Sequence, residues 1–140
     1  MTISFKDKVV IVTGAGGGLG RSHSLEFAKR GAKVVVNDLG GSVDGSGGSS
    51  DAANNVVKEI TEAGGVAIPN GSSVTDDDGV KNMVDQTMDE FGRIDILINN
   101  AGILRDRSFT KMTIEDFTLV TDIHLMGSVK PTKMVWEIMK

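Results

Sequence analysis

The sequence predicts an α/β fold: a Rossmann-type doubly wound parallel sheet, incomplete, of about four strands in the order 3-2-1-4 with flanking helices. Three observations predict it. Val9–Val12, Val34–Val36 and Ile96–Ile98 are unbroken apolar, mostly β-branched runs, the pattern of strands buried on both faces. Longer stretches with apolar residues at helical spacing separate them. A glycine-rich turn, Gly14–Gly20, joins the first run to the first helical stretch.

That turn organises the rest. Thr13-Gly14, three residues, Gly18, one residue and Gly20 give the form TGxxxGxG. Glycines reach backbone angles that other residues avoid and let the main chain approach a pyrophosphate closely. The free amides and positive dipole end of the following helix then receive the negative charge. A glycine turn without a ligand is the plain alternative. The strand pattern before it and the helix pattern after it favour the dinucleotide unit.

Composition narrows the classes. At 140 residues the chain is one domain at most. A net charge of -4 and a pI near 5.1 argue against a nucleic-acid surface. No apolar run approaches membrane-spanning length, and the first residues do not read as a signal peptide. Without cysteine there is no disulfide and no thiolate metal site. There is also no tyrosine.

Thr2 to Asp7 is a polar lead to the first strand. In the first helix, Arg21 to Arg30, Leu25 and Ala28 fall at helical spacing, and Phe27 and Leu19 are expected to widen the apolar stripe. His23 reads as a surface or partly packed side chain, since no second metal ligand pairs with it. Gly31 ends the helix. Lys33 to Asp38 is the second strand, with Asp38 at its end, roughly 20 residues beyond the loop, where an acid can take hydrogen bonds from ribose hydroxyls. A carboxylate there repels a 2′-phosphate. No basic residue stands in the middle of the glycine loop to attract one, so the pattern favours NAD over NADP. The plain alternative for Asp38 is a strand-end turn residue.

Leu39 to Ser50 has the composition of a flexible surface loop, plainly read as a tolerated insertion. Asp51 or Ser50 caps the next helix, which carries Val56, Val57 and Ile60 and stops at Gly64-Gly65. Val66 to Pro69 is the third strand, with Pro69 at a strand end or sheet edge. Ser72-Ser73-Val74 follows, where an adenine could lie. Thr75 or Asp76 opens a helix through Val80, Met83, Val84 and Met88 to Phe91. Asp76-Asp77-Asp78 is better explained as carboxylates at a helix N-terminus than as a metal site. The methionines at helical spacing are core. Arg93 to Ile98 is the fourth strand, ending in Asn99-Asn100-Ala101-Gly102 beside the crevice. Thr113 caps a helix carrying Phe117, Val120, Ile123 and Leu125 and running to Trp136 and Met139, with a kink expected from Gly127 and Pro131. The plain reading of Trp136 is ordinary core packing.

TGxxxGxG and NNAG, in register, resemble the short-chain dehydrogenase/reductase family. Asn37-Asp38-Leu39-Gly40-Gly41 with its glycine-rich insertion, Ile103 to Phe109, and His124-Leu125 are similar to the dehydrogenase units of peroxisomal multifunctional enzymes of type 2. The resemblance implies NAD-dependent oxidation of (3R)-hydroxyacyl-CoA to 3-ketoacyl-CoA in fatty-acid β-oxidation, peroxisomal or else cytoplasmic. It implies that Gly14, Gly18, Leu19 and Gly20 hold the pyrophosphate, Asp38 the ribose, and that Ser73 and Val74 border the adenine. Asn100 is placed by the adenosine ribose, and the last helix at a homodimer interface. Many family members outside this subfamily have an acid where Ser73 stands and an asparagine where His124 stands, and both departures resemble the subfamily.

Family catalysis uses a serine and a tyrosine, three residues, lysine, after a fifth strand. The tyrosine moves the hydroxyl proton, and the lysine lowers its pKa while holding the nicotinamide ribose. This sequence carries no such motif, so no catalytic residue is assigned. Residues 1–140 are therefore expected to be the N-terminal, NAD-binding part of a single Rossmann-fold dehydrogenase domain. The alternative is a non-catalytic nucleotide-binding or oligomerisation module. With no fifth strand, the fourth is an apolar edge, and an aggregation-prone or partner-dependent chain is expected.

Overall fold

Alternation along the central strands sets the layering. A computed structural model describes residues 2–41, 44–45 and 51–140. The strands are β1 (Val9–Val12), β2 (Lys33–Asn37), β3 (Val66–Asn70) and β4 (Ile96–Ile98). They form a parallel sheet in the order β3-β2-β1-β4. Val10 lies opposite Val34 on one side and Ile96 on the other. Successive side chains point to opposite faces. Val10, Val12, Val34 and Val36 join a cluster with Ala28, Val56 and Ile60 of α1 (Gly18–Lys29) and α2 (Asp51–Glu62). Ile11 and Val35 join the other cluster, with Met83 and Val84 of α3 (Asp77–Phe91). The last helices are α4 (Ile114–Thr121) and α5 (Gly127–Met139), and Val135 of α5 completes the second cluster. The sheet is thus covered on both faces, as the apolar runs require.

The architecture and strand order are those expected from the sequence; several boundaries and one face differ. Helix α1 starts within the glycine motif, and its buried face is Gly20, Ser24 and Ala28. Small residues let the helix lie close to the sheet. Leu19 does not widen that face: it is 72% exposed. Strand β4 is shorter than Arg93 to Ile98. The Asp95 carboxylate itself takes the Val9 amide at 2.8 Å and is held by the Arg93 guanidinium, so a side chain replaces a ladder carbonyl there. Pro69 sits in β3, the outer strand on the other side, opposite Val36.

The helix caps follow local chemistry. Asp76 accepts the Gly79 amide at 2.7 Å, which spends the first of the three acids as an N-cap. Thr113 accepts the Asp116 amide at 3.1 Å and opens α4. Helix α2 begins at Asp51, while Ser50, the other expected cap, lies outside the described residues. The irregularity expected around Gly127 and Pro131 falls one turn earlier, as a π turn over Asp122–Met126. Pro131 is buried inside α5. The wide turn carries His124, whose Nε2 lies 3.1 Å from the amide and 2.9 Å from the carbonyl of Ile103.

Of the Leu39 to Ser50 loop, residues 42–43 and 46–50 lie outside the described residues. Asp44 and Gly45 are placed against Arg105 and Ile103. Among the described residues β4 pairs only with β1. Beside it, Leu97, Trp136 and Met139 line a groove of about 420 Å³, with Trp136 61% exposed.

Candidate functional site

A cleft of about 420 Å³ opens where β1, β2 and β4 end, a size usual for small-molecule and cofactor sites. Its floor is the glycine turn. Gly17 precedes α1 in an extended conformation and offers no side-chain cap, and no acid stands in the first turn. The first helical amide with a partner is that of Arg21, which reaches the Gly17 carbonyl at 3.0 Å. By helix geometry the amides ahead of it have no intrahelical acceptor. Gly18 is in the left-handed region at φ +52, with open space where a Cβ would stand. Among the described residues, amides without an intrahelical acceptor and a partial positive charge thus stand at the cleft floor, the arrangement that receives an anion.

Gly20 has a different role. A Cβ there would lie 2.3 Å from the Gly14 carbonyl oxygen and 2.6 Å from Asn100 Nδ2. Only glycine lets α1 sit this close to the strand ends.

Asp38 stands one residue beyond β2 and lines the cleft. One carboxylate oxygen accepts the Gly16 amide at 2.8 Å and the other accepts the Gly40 amide at 2.7 Å. The group is thus oriented by the backbone on both sides. A carboxylate has about four acceptor positions, so two backbone bonds leave capacity for ligand hydroxyls.

The Asn99-Asn100-Ala101-Gly102 turn is knitted to the glycine turn. The buried Thr13 hydroxyl accepts the amides of Asn100 and Ala101 at 3.1 and 3.0 Å. Asn100 Nδ2 donates to the Thr13 and Gly14 carbonyls at 3.1 and 3.0 Å. The Asn100 amide is therefore committed to the loop.

The far wall is Ser72-Ser73-Val74. Beneath it lies a buried amide pair: Asn37 Nδ2 donates to Asn70 Oδ1 at 2.8 Å and to the Ser72 carbonyl at 2.9 Å. Ser73 Oγ turns to Thr75 Oγ1 at 3.0 Å, and Val74 is buried. Lys130 on α5 donates to the Thr75 carbonyl at 2.7 Å and meets Asp77 at 2.9 Å. The hydrogen bond to Asp77 raises the pKa of this ammonium.

Of the residues singled out in the sequence, Gly14, Gly18, Asp38, Ser73, Val74 and Asn100 line the cleft. Leu19 and Gly20 do not: Leu19 faces outward, and Gly20 is buried beneath the floor. Sequence reasoning missed Thr13 and the Asn37–Asn70 pair as supports. A polar residue at the end of an apolar strand was the available signal for both. It also missed Gly45, Ala52 and Ile103, which line the cleft from distant segments. Among the described residues, no three His, Cys, Asp or Glu side chains stand together so as to hold a metal ion. No helix among them is long and apolar enough to cross a membrane.

Parallel strands, a glycine turn feeding an uncapped helix, and an oriented acid at the end of β2 define a dinucleotide-binding α/β unit. The family model described as short chain dehydrogenase matches residues 8–140, and the chain belongs to that family, whose members generally use a nicotinamide cofactor. It is 60% identical over 140 residues to the peroxisomal multifunctional enzyme A of Dictyostelium discoideum, covering all of this chain and 31% of that protein. It is 55% identical over 138 residues to the peroxisomal hydratase-dehydrogenase-epimerase of Saccharomyces cerevisiae, covering 99% of this chain and 15% of that one. A crystal structure of a short chain dehydrogenase from Mycobacterium avium superposes with a TM-score of 0.85 at 47% identity, covering 95% of this chain and 46% of that one. The chain therefore spans less than a third of the two peroxisomal relatives and about half of the solved dehydrogenase.

Proposed function

We propose that the cleft binds NAD and that residues 1–140 form the N-terminal cofactor half of a dehydrogenase that oxidises (3R)-hydroxyacyl-CoA to 3-ketoacyl-CoA in fatty-acid β-oxidation. The observation that carries the cofactor reading is Asp38, held by two backbone amides at the edge of a cleft whose floor is an uncapped helix end. The glycine turn at Gly14 and Gly18 and the first amides of α1 receive the pyrophosphate. Asp38 accepts from the adenosine ribose hydroxyls, and its charge repels the extra phosphate of NADP. Ser73 and Val74 border the adenine, and Asn100 stands by the ribose while holding the loop. The cofactor, when bound, accepts the hydride. The acyl-CoA substrate and the peroxisomal setting are carried over from the two peroxisomal relatives.

The reaction needs a group to take the hydroxyl proton. The family's tyrosine is absent from this sequence, so these residues alone bind the nucleotide without turning over substrate. The same absence supports a second reading, a nucleotide-binding or oligomerisation module that has lost the reaction. Homodimerisation through α5 and the π turn before it fits the exposed Leu125, Val129 and Trp136.

Calorimetric titration of the purified chain with NAD and NADP tests the cofactor reading. NAD binding, weaker NADP binding and loss of both in Asp38→Ala support it. Absence of NAD binding in a chain that circular dichroism shows to be folded overturns it. Addition in trans of the corresponding C-terminal part of a full-length family member separates the two functional readings. Recovery of (3R)-hydroxyacyl-CoA oxidation supports the enzyme, and binding without oxidation supports the module.

A further inference from the structure

Arg105 lies beyond β4, outside the glycine floor and outside the motifs that define the cleft. Its guanidinium bridges two distant segments. Nε donates to the Asp44 carbonyl at 2.8 Å, and a terminal nitrogen donates to Asp116 Oδ1 of α4 at 2.5 Å. Next to Asp44, Gly45 meets Ile103, and both line the cleft. A Cβ at Gly45 would stand 3.1 Å from Ile103 Cγ2, and Gly45 is in the left-handed region at φ +84, so the contact requires glycine. Asp44 and Gly45, which follow β2 in the sequence, thus stand against the segment after β4. Asp44 and Gly45 are placed by defined contacts, which a merely tolerated insertion does not need.

We propose that Arg105, clamped by Asp116, is a positioning residue for the nucleotide: it braces Asp44-Gly45 against Ile103 and so builds one wall of the cleft. The inference rests on the nucleotide reading above. The planar fork suits the task, because one guanidinium serves a carbonyl and a carboxylate at once in fixed directions. A lysine ammonium has no such fixed geometry. The Arg105 hydrogen bond also holds the Asp116 carboxyl below the usual carboxylate range, so the clamp stays charged in mildly acidic solution. A wall that retains a bound nucleotide acts on its departure, whereas a cation that merely attracts it acts on its arrival.

The test uses the 140-residue chain with NADH as probe, followed by its own fluorescence in stopped flow, with circular dichroism confirming the fold. Arg105→Met is expected to raise the NADH dissociation rate about tenfold, the factor matching loss of one charge-assisted hydrogen bond, and to leave the association rate within about twofold. Arg105→Lys is expected to fall between Arg105→Met and the unmutated chain. Arg30→Met removes the same charge from the Glu26 pair on α1 and is expected to change neither rate. A second readout needs no nucleotide: nuclear Overhauser contacts between Gly45 and the Ile103 methyls, present in the unmutated chain, are expected to vanish in Arg105→Met. Unchanged dissociation in Arg105→Met, persistence of those contacts, or a change confined to association overturns the positioning role while leaving nucleotide binding standing. Failure of the unmutated chain to bind NADH overturns the nucleotide reading, and the positioning role with it. Should Arg105→Met not fold, Arg105→Lys decides: a dissociation rate equal to that of the unmutated chain overturns the proposal.

Discussion

Asp38 and Gly16 are locked together: a carboxylate oxygen accepts the Gly16 amide at 2.8 Å, and a Cβ on Gly16 would lie 2.7 Å from that same oxygen. The acid at the end of β2 is therefore held in place by the loop it serves. Gly16→Ala must displace either the carboxylate or the loop, since the same Cβ would also meet Ala52 Cβ at 2.7 Å. Its expected effect is a roughly tenfold loss of NAD affinity, about 1.4 kcal/mol, with the fold retained. Calorimetry beside far-ultraviolet circular dichroism measures both.

Gly20→Ala acts on stability. Its Cβ meets the Gly14 carbonyl oxygen at 2.3 Å, a backbone atom that cannot swing away. Overpacking of this kind costs about 1–3 kcal/mol, and the shift of α1 carries the anion-binding amides with it. Urea unfolding is expected to show a lower midpoint, and NAD binding is expected to weaken in the same variant.

Thr13→Val preserves shape and removes the hydroxyl that accepts two amides. Each buried donor left without a partner costs about 1–3 kcal/mol. The expected result is a marked loss of stability with faster amide exchange at Asn100 and Ala101. A variant as stable as the parent would show that water replaces the hydroxyl.

Acid sensitivity is expected from Asp95. The Arg93 hydrogen bond, the Val9 amide and the nearby Lys8 together hold its carboxyl below the usual carboxylate range, against a smaller opposing effect of burial. Because the folded pKa is lowered, this stabilisation is complete above the unfolded value of about 4 and is lost as pH falls through the folded one. Asp95→Asn is expected to flatten the stability profile below about pH 4 while lowering stability near neutrality. Denaturant titrations between these pH values provide the check.

The groove beside β4 predicts self-association. Leu97, Trp136 and Met139 line it, and an apolar strand edge recruits other chains. Solution scattering is expected to show apparent mass rising with concentration, and Trp136→Lys to reduce the rise. A compact monomer at high concentration would refute this.

By itself the sequence determined the layering of the sheet, the glycine turn, the cap at Thr113, the start of α3 at Thr75 or Asp76, and the acid at the end of β2. These are local matters: side-chain period, backbone freedom and the reach of one side chain to a neighbouring amide lie within a few residues. The family was legible for the same reason, because both motifs are short and contiguous. Tertiary structure alone decided the rest. Thr13 serves Asn100 across 87 residues, and Arg105 meets Asp44 across 61. Leu19 faces out because Gly20 and Ser24 carry the close contact with the sheet. Asp95 ends the ladder early because its side chain takes the Val9 amide. In each case the outcome depends on which distant segments arrive together, and only the packed fold fixes that arrangement.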